Sequence, residues 1–355
     1  MRHQLNKKPK SQNMLTHNKL YQTLIILCFT LTTFNAIAVE SDTYNDRSFD
    51  SWVERLKSQA YSKGISEETL NSAFYNVQQQ SFLEYAQLEE ANTSGQISTF
   101  LTAQQILRNK QILNHYRDVL FEIKHLFGVD EEVIVAIWGI NNLSLAETSP
   151  QSTIDILTTL SYQQPTNKKI QNELLQALRI IDEGHVSANE LKSNSIGNIG
   201  TINFNPTQFR TFAVDYDGDG KTDLWRSHAD IFASTANFLS SIGWKTNQPW
   251  GMEVKLPEEF DVALLGTNSQ RTVNKWHELG LRLENGADFS QTSEMASLVK
   301  LDEASEKYFL VFDNYFALLR WKRSPKFALA TGMMINEIKQ QQFATPITPF
   351  ADISE

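Results

Sequence analysis

Cysteine is all but missing from this 355-residue chain; the single one is Cys28. It lies in an early apolar run, so the chain beyond that run has no disulfide framework and no thiol nucleophile. Basic residues are outnumbered, 32 Lys and Arg against 41 Asp and Glu, for a formal net charge of −9. So acidic a chain is a poor partner for nucleic acid. The GxGxxG, GxxxxGKS/T, HExxH and GxSxG signatures are absent, which removes the simplest routes to nucleotide binding, zinc proteolysis and serine hydrolysis. His115, His125, His185, His228 and His277 are scattered and read as structural or surface residues. Internal repeats and low-complexity segments are also lacking.

The first 38 residues differ from the rest. They hold Arg2, Lys7, Lys8, Lys10 and Lys19 and no acid, then the apolar run LIILCFTLTTF (Leu24 to Phe34), then AIA (Ala36 to Ala38). That order predicts a secretory signal peptide over 1–38, with Met14 as a possible second start. The run is short for a membrane span, which needs about 20 residues, so an uncleaved anchor is the weaker alternative. Leu27 before Cys28 is not the small residue a lipoprotein signal wants. Cleavage would leave an exported, still more acidic chain with no stable span.

Residues 39 to about 48 are polar and predict a tether. Phe49, Trp52, Val53 and Leu56 share a helical face, Gly64 ends that helix, and Ser66 is placed to cap a second. Apolar residues at helical spacing from Phe100 to Phe127 predict one long amphipathic helix stopped by Gly128. Asp130 is then placed to cap a helix striped by Val133, Ile134, Ile137 and Ile140, which runs out into Asn141 and Asn142. Further helices fit 153–162, 169–182 and 227–242. ASLVKL and YFLVF flank a polar turn and predict a hairpin over 296–312. A last helix pair fits 313–340.

The sharpest local motif is DYDGDGKTDLW, Asp215 to Trp225. Asp215, Asp217 and Asp219 alternate, Gly220 holds the sixth place of an EF-hand loop, Lys221 can offer a carbonyl, and Asp223 follows. A hard cation needs six to eight oxygens, and this spacing points to a structural calcium. The twelfth place is Arg226 rather than a bidentate Glu; Asp230 is positioned to close the site instead. The bland alternative is a solvated Asp/Gly turn. IGNIGTINFNP, Ile196 to Pro206, reads as a tight uncharged loop. In LLRWKRSPKFALA, Trp321 among Arg320, Lys322, Arg323 and Lys326 fits either a sugar groove or a solvated helix start. Trp244 and Trp250 fit sugar stacking less well than core or loop anchoring.

Together with SWVERLKSQAYSKGIS, GVDEEVIVAIWGI, ALRIIDEGHVSANELK, ASTANFLSSIGW, QPWGMEVKLPEEFD and FDNYFALLRW, these stretches resemble the lytic murein transglycosylases of the B type over about residues 49 to 340. The resemblance implies a mainly α (α+β) fold. Its parts would be an N-terminal helical part (about 49–127) and a lysozyme-like helical core (about 128–250) holding a calcium loop (215–230). A small β part (about 251–312) and C-terminal helices (about 313–340) would complete one domain over 39–345, with 346–355 as a tail. It also implies a periplasmic protein acting at peptidoglycan. In that family the helix ends AIWGIE, and the Glu is the sole acid and base. It protonates the glycosidic oxygen between N-acetylmuramic acid and N-acetylglucosamine and helps an anhydro ring to close.

In this sequence that position is Asn141, whose amide cannot deliver a proton at neutral pH. The family's following Tyr and Gly correspond to Ser144 and Leu145. Its Gly-Gln-x-Gln-Phe loop reads Gly200-Thr201-Ile202-Asn203-Phe204, and its late Tyr-Asn pair reads Trp321-Lys322. The resemblance therefore implies a glycan cleft around Asn141, Ser144, Thr201, Asn203, Trp321 and Lys322 with no catalytic residue. The expected protein is non-catalytic and binds glycan strands or a cell-wall protein partner. The alternative is an active transglycosylase with a relocated acid such as Glu147.

Overall fold

A computed structural model describes residues 48–81, 97–146, 151–290 and 292–340, with side chains for all of these except 143–146. The segment expected to be a signal peptide, Glu147 and the side chains of Ser144 and Leu145 lie outside the described residues. Elements are numbered in chain order, and no helix among them is long and apolar enough to cross a membrane.

Helices α1 (Phe49–Ser62) and α2 (Glu67–Ala73) are each opened by a serine, Ser48 and Ser66, whose hydroxyl accepts a backbone N–H of the first turn. After α3 (Ile97–Phe100) come α4 (Ala103–His115) and α5 (Arg117–Phe127). The sequence pattern predicted these two as one helix. They break at Tyr116, whose backbone leaves the helical region and whose ring stacks on His228 at 4.7 Å. The apolar period continues across the break, so periodicity could not reveal it. Gly128 ends α5 in the left-handed conformation at φ 71°.

Helix α6 (Glu131–Ala146) is the centre of the molecule. Val133, Ile134, Val135, Ala136, Ile137, Trp138 and Ile140 are all buried, so the helix is covered on every side rather than along one stripe. Helices α4, α5, α10 (His228–Ser241) and α13 (Pro325–Gln340) surround it. Helix α4 crosses closely: a Cβ added to Gly139 would meet Asn109 Oδ1 at 2.0 Å. Asp130 pairs its carboxylate with Lys124 at 3.2 Å, and Glu131 joins the same lysine at 2.8 Å.

A two-stranded ribbon, β1 (Gln151–Ser152) with β2 (Lys192–Ser193), brings the start of α7 (Thr153–Gln163) beside the segment that follows α8 (Lys168–Asp182). Helix α9 (Pro206–Phe212) opens with a capping box between Asn205 and Gln208.

The late part is an antiparallel sheet in the order β4-β6-β7-β3-β5, made of β3 (Gly251–Lys255), β4 (Gly266–Thr272), β5 (Arg282–Leu283), β6 (Met295–Lys300) and β7 (Tyr308–Val311). The hairpin expected over 296–312 is β6 with β7. Its alternation serves two cores: Leu298 and Leu310 face a small core around Trp276, in α11 (Val273–Glu278), while Val299, Phe309 and Val311 face the helical core. Helices α12 (Asp313–Trp321) and α13 close the chain.

Candidate functional site

The carbonyl of Ile137, one turn back on α6, receives a hydrogen bond from Asn141 Nδ2 at 2.9 Å, and Asn141 itself is 1% exposed. Asn203 Nδ2 donates to Asn141 Oδ1 at 3.4 Å, and Asn194 Nδ2 donates to Asn203 Oδ1 at 3.4 Å. Asn194 Oδ1 in turn accepts the backbone N–H groups of Ile196 and Asn198. The structure thus brings Asn141 and Asn203 together through a row of amides. Asn194 was not singled out from sequence; its only signal was the Asn-rich texture of the loop.

The loop from Asn194 to Asn205 is held tightly. Gly197 lies against Leu157, and Gly200, at φ 70°, leaves no room for a Cβ, which would meet Leu224 at 2.7 Å. Thr201 gives both its N–H and its hydroxyl to the carbonyl of Leu224, at 2.9 and 3.2 Å. Thr201 and Asn203 are partly exposed. Asn203 takes the left-handed conformation at φ 55°, which Asn tolerates better than most side chains.

The cleft position expected for Trp321 needs correction. Its indole is 9% exposed and packs on Phe204 and Phe238, with ring centroids 5.6 and 5.0 Å apart. Once helical register is known the reason is plain: Tyr315, Leu318 and Trp321 fall on the buried face of α12. Lys322, just past the helix, holds its ammonium over the Phe327 ring at 5.5 Å, and burial pushes its pKa below the usual lysine value. Trp244 and Trp250 are buried too.

Before Asn141, the ring of Trp138 lies between Arg108, whose guanidinium is 5.6 Å from its centroid, and His228 at 5.7 Å. Burial, together with His115 and Arg108 nearby, lowers the His228 pKa.

In the acidic loop, Asp215, Asp217 and Asp230 bring carboxylate oxygens within 4.8 Å of one another. Asp230 is 1% exposed and accepts the N–H groups of Tyr216 and Asp223, each at 2.8 Å. Burial raises its pKa, the two N–H groups oppose this, and the charge of Asp217 raises it further. Ser227, not singled out from sequence, donates to Asp217 at 2.9 Å. Asp219 Oδ1 accepts the N–H of Lys221, and Asp223 Oδ1 accepts those of Trp225 and Arg226. Each of these two keeps a second oxygen. Three converging carboxylates, one of them buried, form a donor set that suits a hard cation.

Fold and site together define a lysozyme-like helical scaffold with an Asp-rich loop and an uncharged residue late on its central helix. A family model described as transglycosylase SLT domain matches residues 48–335, and the chain belongs to that family. It is 26% identical over 242 residues to membrane-bound lytic murein transglycosylase B of Escherichia coli strain K12, a match covering 66% of this chain but only 64% of that protein. The crystal structure of SltB3 from Pseudomonas aeruginosa in complex with NAG-anhNAM-pentapeptide superposes with a TM-score of 0.74 at 31% identity, covering 82% of this chain and 80% of that one. The Escherichia coli lytic transglycosylase Slt35, solved in complex with calcium, shares the fold at TM-score 0.67 and 20% identity over 81% of this chain and 93% of its own.

The packing of Trp321 generates a test. Trp321→Ala should destabilise the protein by about 3–5 kcal/mol, the cost of emptying a core aromatic site. A groove-lining tryptophan would cost about 0.5 kcal/mol or less. Urea unfolding of both proteins distinguishes the two.

Proposed function

We propose that this protein is a peptidoglycan-binding member of the lytic transglycosylase family, exported to the periplasm, that has given up catalysis. The observation that carries the proposal is Asn141. It stands where the family resemblance places the catalytic Glu, it is buried, and its recorded hydrogen-bond partners are uncharged. General acid catalysis needs a proton held near its operating pKa and delivered at the leaving oxygen, and a carboxamide has none to give. Peptidoglycan as the ligand is supported by SltB3, which was captured with a peptidoglycan fragment and covers most of this chain. Thr201 and Asn203 are partly exposed polar residues of the loop beside Asn141 and are the proposed glycan contacts.

The acidic loop is the proposed calcium site. Asp215, Asp217 and Asp230 would hold the ion, with Asp219, Asp223 and the Lys221 carbonyl completing the oxygen set. The cation would supply charge balance at a place where Asp217 and burial both work against an ionised Asp230. Its role is structural. The loop is tied to the rest of the fold by Thr222 N–H donating to His185 Nδ1 and by Tyr216 donating to Glu122. A bound ion therefore stiffens the joint between α8, α5 and α10.

Two measurements test these proposals. The purified mature protein should pellet with isolated sacculi, and it should do so less well when Thr201 and Asn203 are both changed to Ala. Wild-type protein that stays in the supernatant contradicts glycan binding. Separately, calcium at a hundredfold excess over Kd should stabilise the fold by about 2.7 kcal/mol, and Asp230→Asn should abolish the increment. Melting curves that coincide in calcium and in chelator contradict the metal site.

A further inference from the structure

The row of amides has a direction that chemistry fixes from both ends. Ile137 contributes a carbonyl, which only accepts, so the Asn141 atom facing it is the NH2 group. Asn194 meets two backbone N–H groups, which only donate, so the atom facing them is its oxygen. Asn203 between them has no choice: its NH2 faces Asn141 and its oxygen faces Asn194. Every recorded partner of the three amides is uncharged. The row joins two parts far apart in sequence, α6 and the loop from Asn194 to Asn205. It crosses through a residue, Asn203, whose backbone sits at φ 55°.

We infer that Asn141 is a latch, the residue that positions the 194–205 loop on the central helix, and that the socket it fills accepts a neutral side chain which donates inward and accepts from the loop. A carboxylate of the same shape would set an oxygen 2.9 Å from the Ile137 carbonyl, two acceptors face to face. It would keep the contact only by holding a proton. Asn141 is buried while Asn203 is partly exposed, so the outward polar surface of this pair belongs to Asn203. Position 141 thus has a structural duty of its own, which goes beyond the loss of an acid.

Hydrogen–deuterium exchange on the full mature chain tests the latch without any glycan, so its outcome is separate from that of sacculus binding. Asn141→Asp, which keeps the shape, and Asn203→Ala, which removes the contact from the loop side, should each speed exchange of the 194–205 amides at pH 7 by roughly five- to tenfold after correction for intrinsic rates. That is the change in opening expected for the loss of about one net hydrogen bond. Amides of α8 should not change. At about pH 4.5 the introduced carboxyl, its pKa raised by burial, takes up a proton. Protection should then return in Asn141→Asp but not in Asn203→Ala. Wild-type protection in Asn203→Ala at pH 7, or in Asn141→Asp at a pH high enough to ionise its carboxyl, overturns the latch. If Asn141→Asp unfolds outright, Asn141→Ala, which removes the same contact without touching the left-handed backbone of Asn203, decides together with Asn203→Ala.

Discussion

The burial of α6 on every side is the constraint from which the rest of the structure follows. Seven apolar side chains between Val133 and Ile140 are withdrawn from water, and the larger ones contribute on the order of 1.5–3 kcal/mol each. A helix that is apolar all round has to be wrapped, and α4, α5, α10 and α13 do the wrapping. The close crossing of α4 at Gly139 and the packing of Trp138 against His228 fix the helix in rotation and in height. Asn141 then arrives at one place, facing the Gly/Asn loop. The scaffold thus aims a carboxamide at that loop.

That loop and the acidic loop are linked through one short segment. Leu224, directly after Asp223, is the residue against which Gly200 and Thr201 pack. Asp223 gives its N–H to the buried Asp230, at the start of α10, and α10 in turn packs on α6. A cation held among Asp215, Asp217 and Asp230 would therefore steady the floor beneath the Asn194–Asn205 loop. The proposed glycan surface and the proposed metal site share a wall.

Much of the fold was legible because helices announce themselves through period and caps. Ser66, Gly128 and the paired runs of β6 and β7 stand where spacing placed them. The break at Tyr116 was hidden because neither Gly nor Pro marks it and the apolar period runs through it. At the site, the Asp-rich motif was visible as residue types in a pattern, whereas Asn141 was visible only through the family resemblance. Trp321 misled because cations beside an indole look like a groove, whereas its register on α12 turns it into the core. Asn194 and Ser227 escaped notice because their roles are hydrogen bonds across the fold to partners that local sequence does not specify. The split is physical: local propensity and burial are written in the sequence, while polar networks are fixed by tertiary contact.

The central claim is that the scaffold is kept while the chemistry is gone, and analysis of sacculi by mass spectrometry tests it most directly. After long incubation with the wild-type protein and calcium, the soluble fraction should hold no more anhydro-muropeptides than a protein-free control. Release of anhydro-muropeptides that scales with protein concentration and disappears in Glu147→Ala would contradict the claim and identify a working enzyme with a relocated acid.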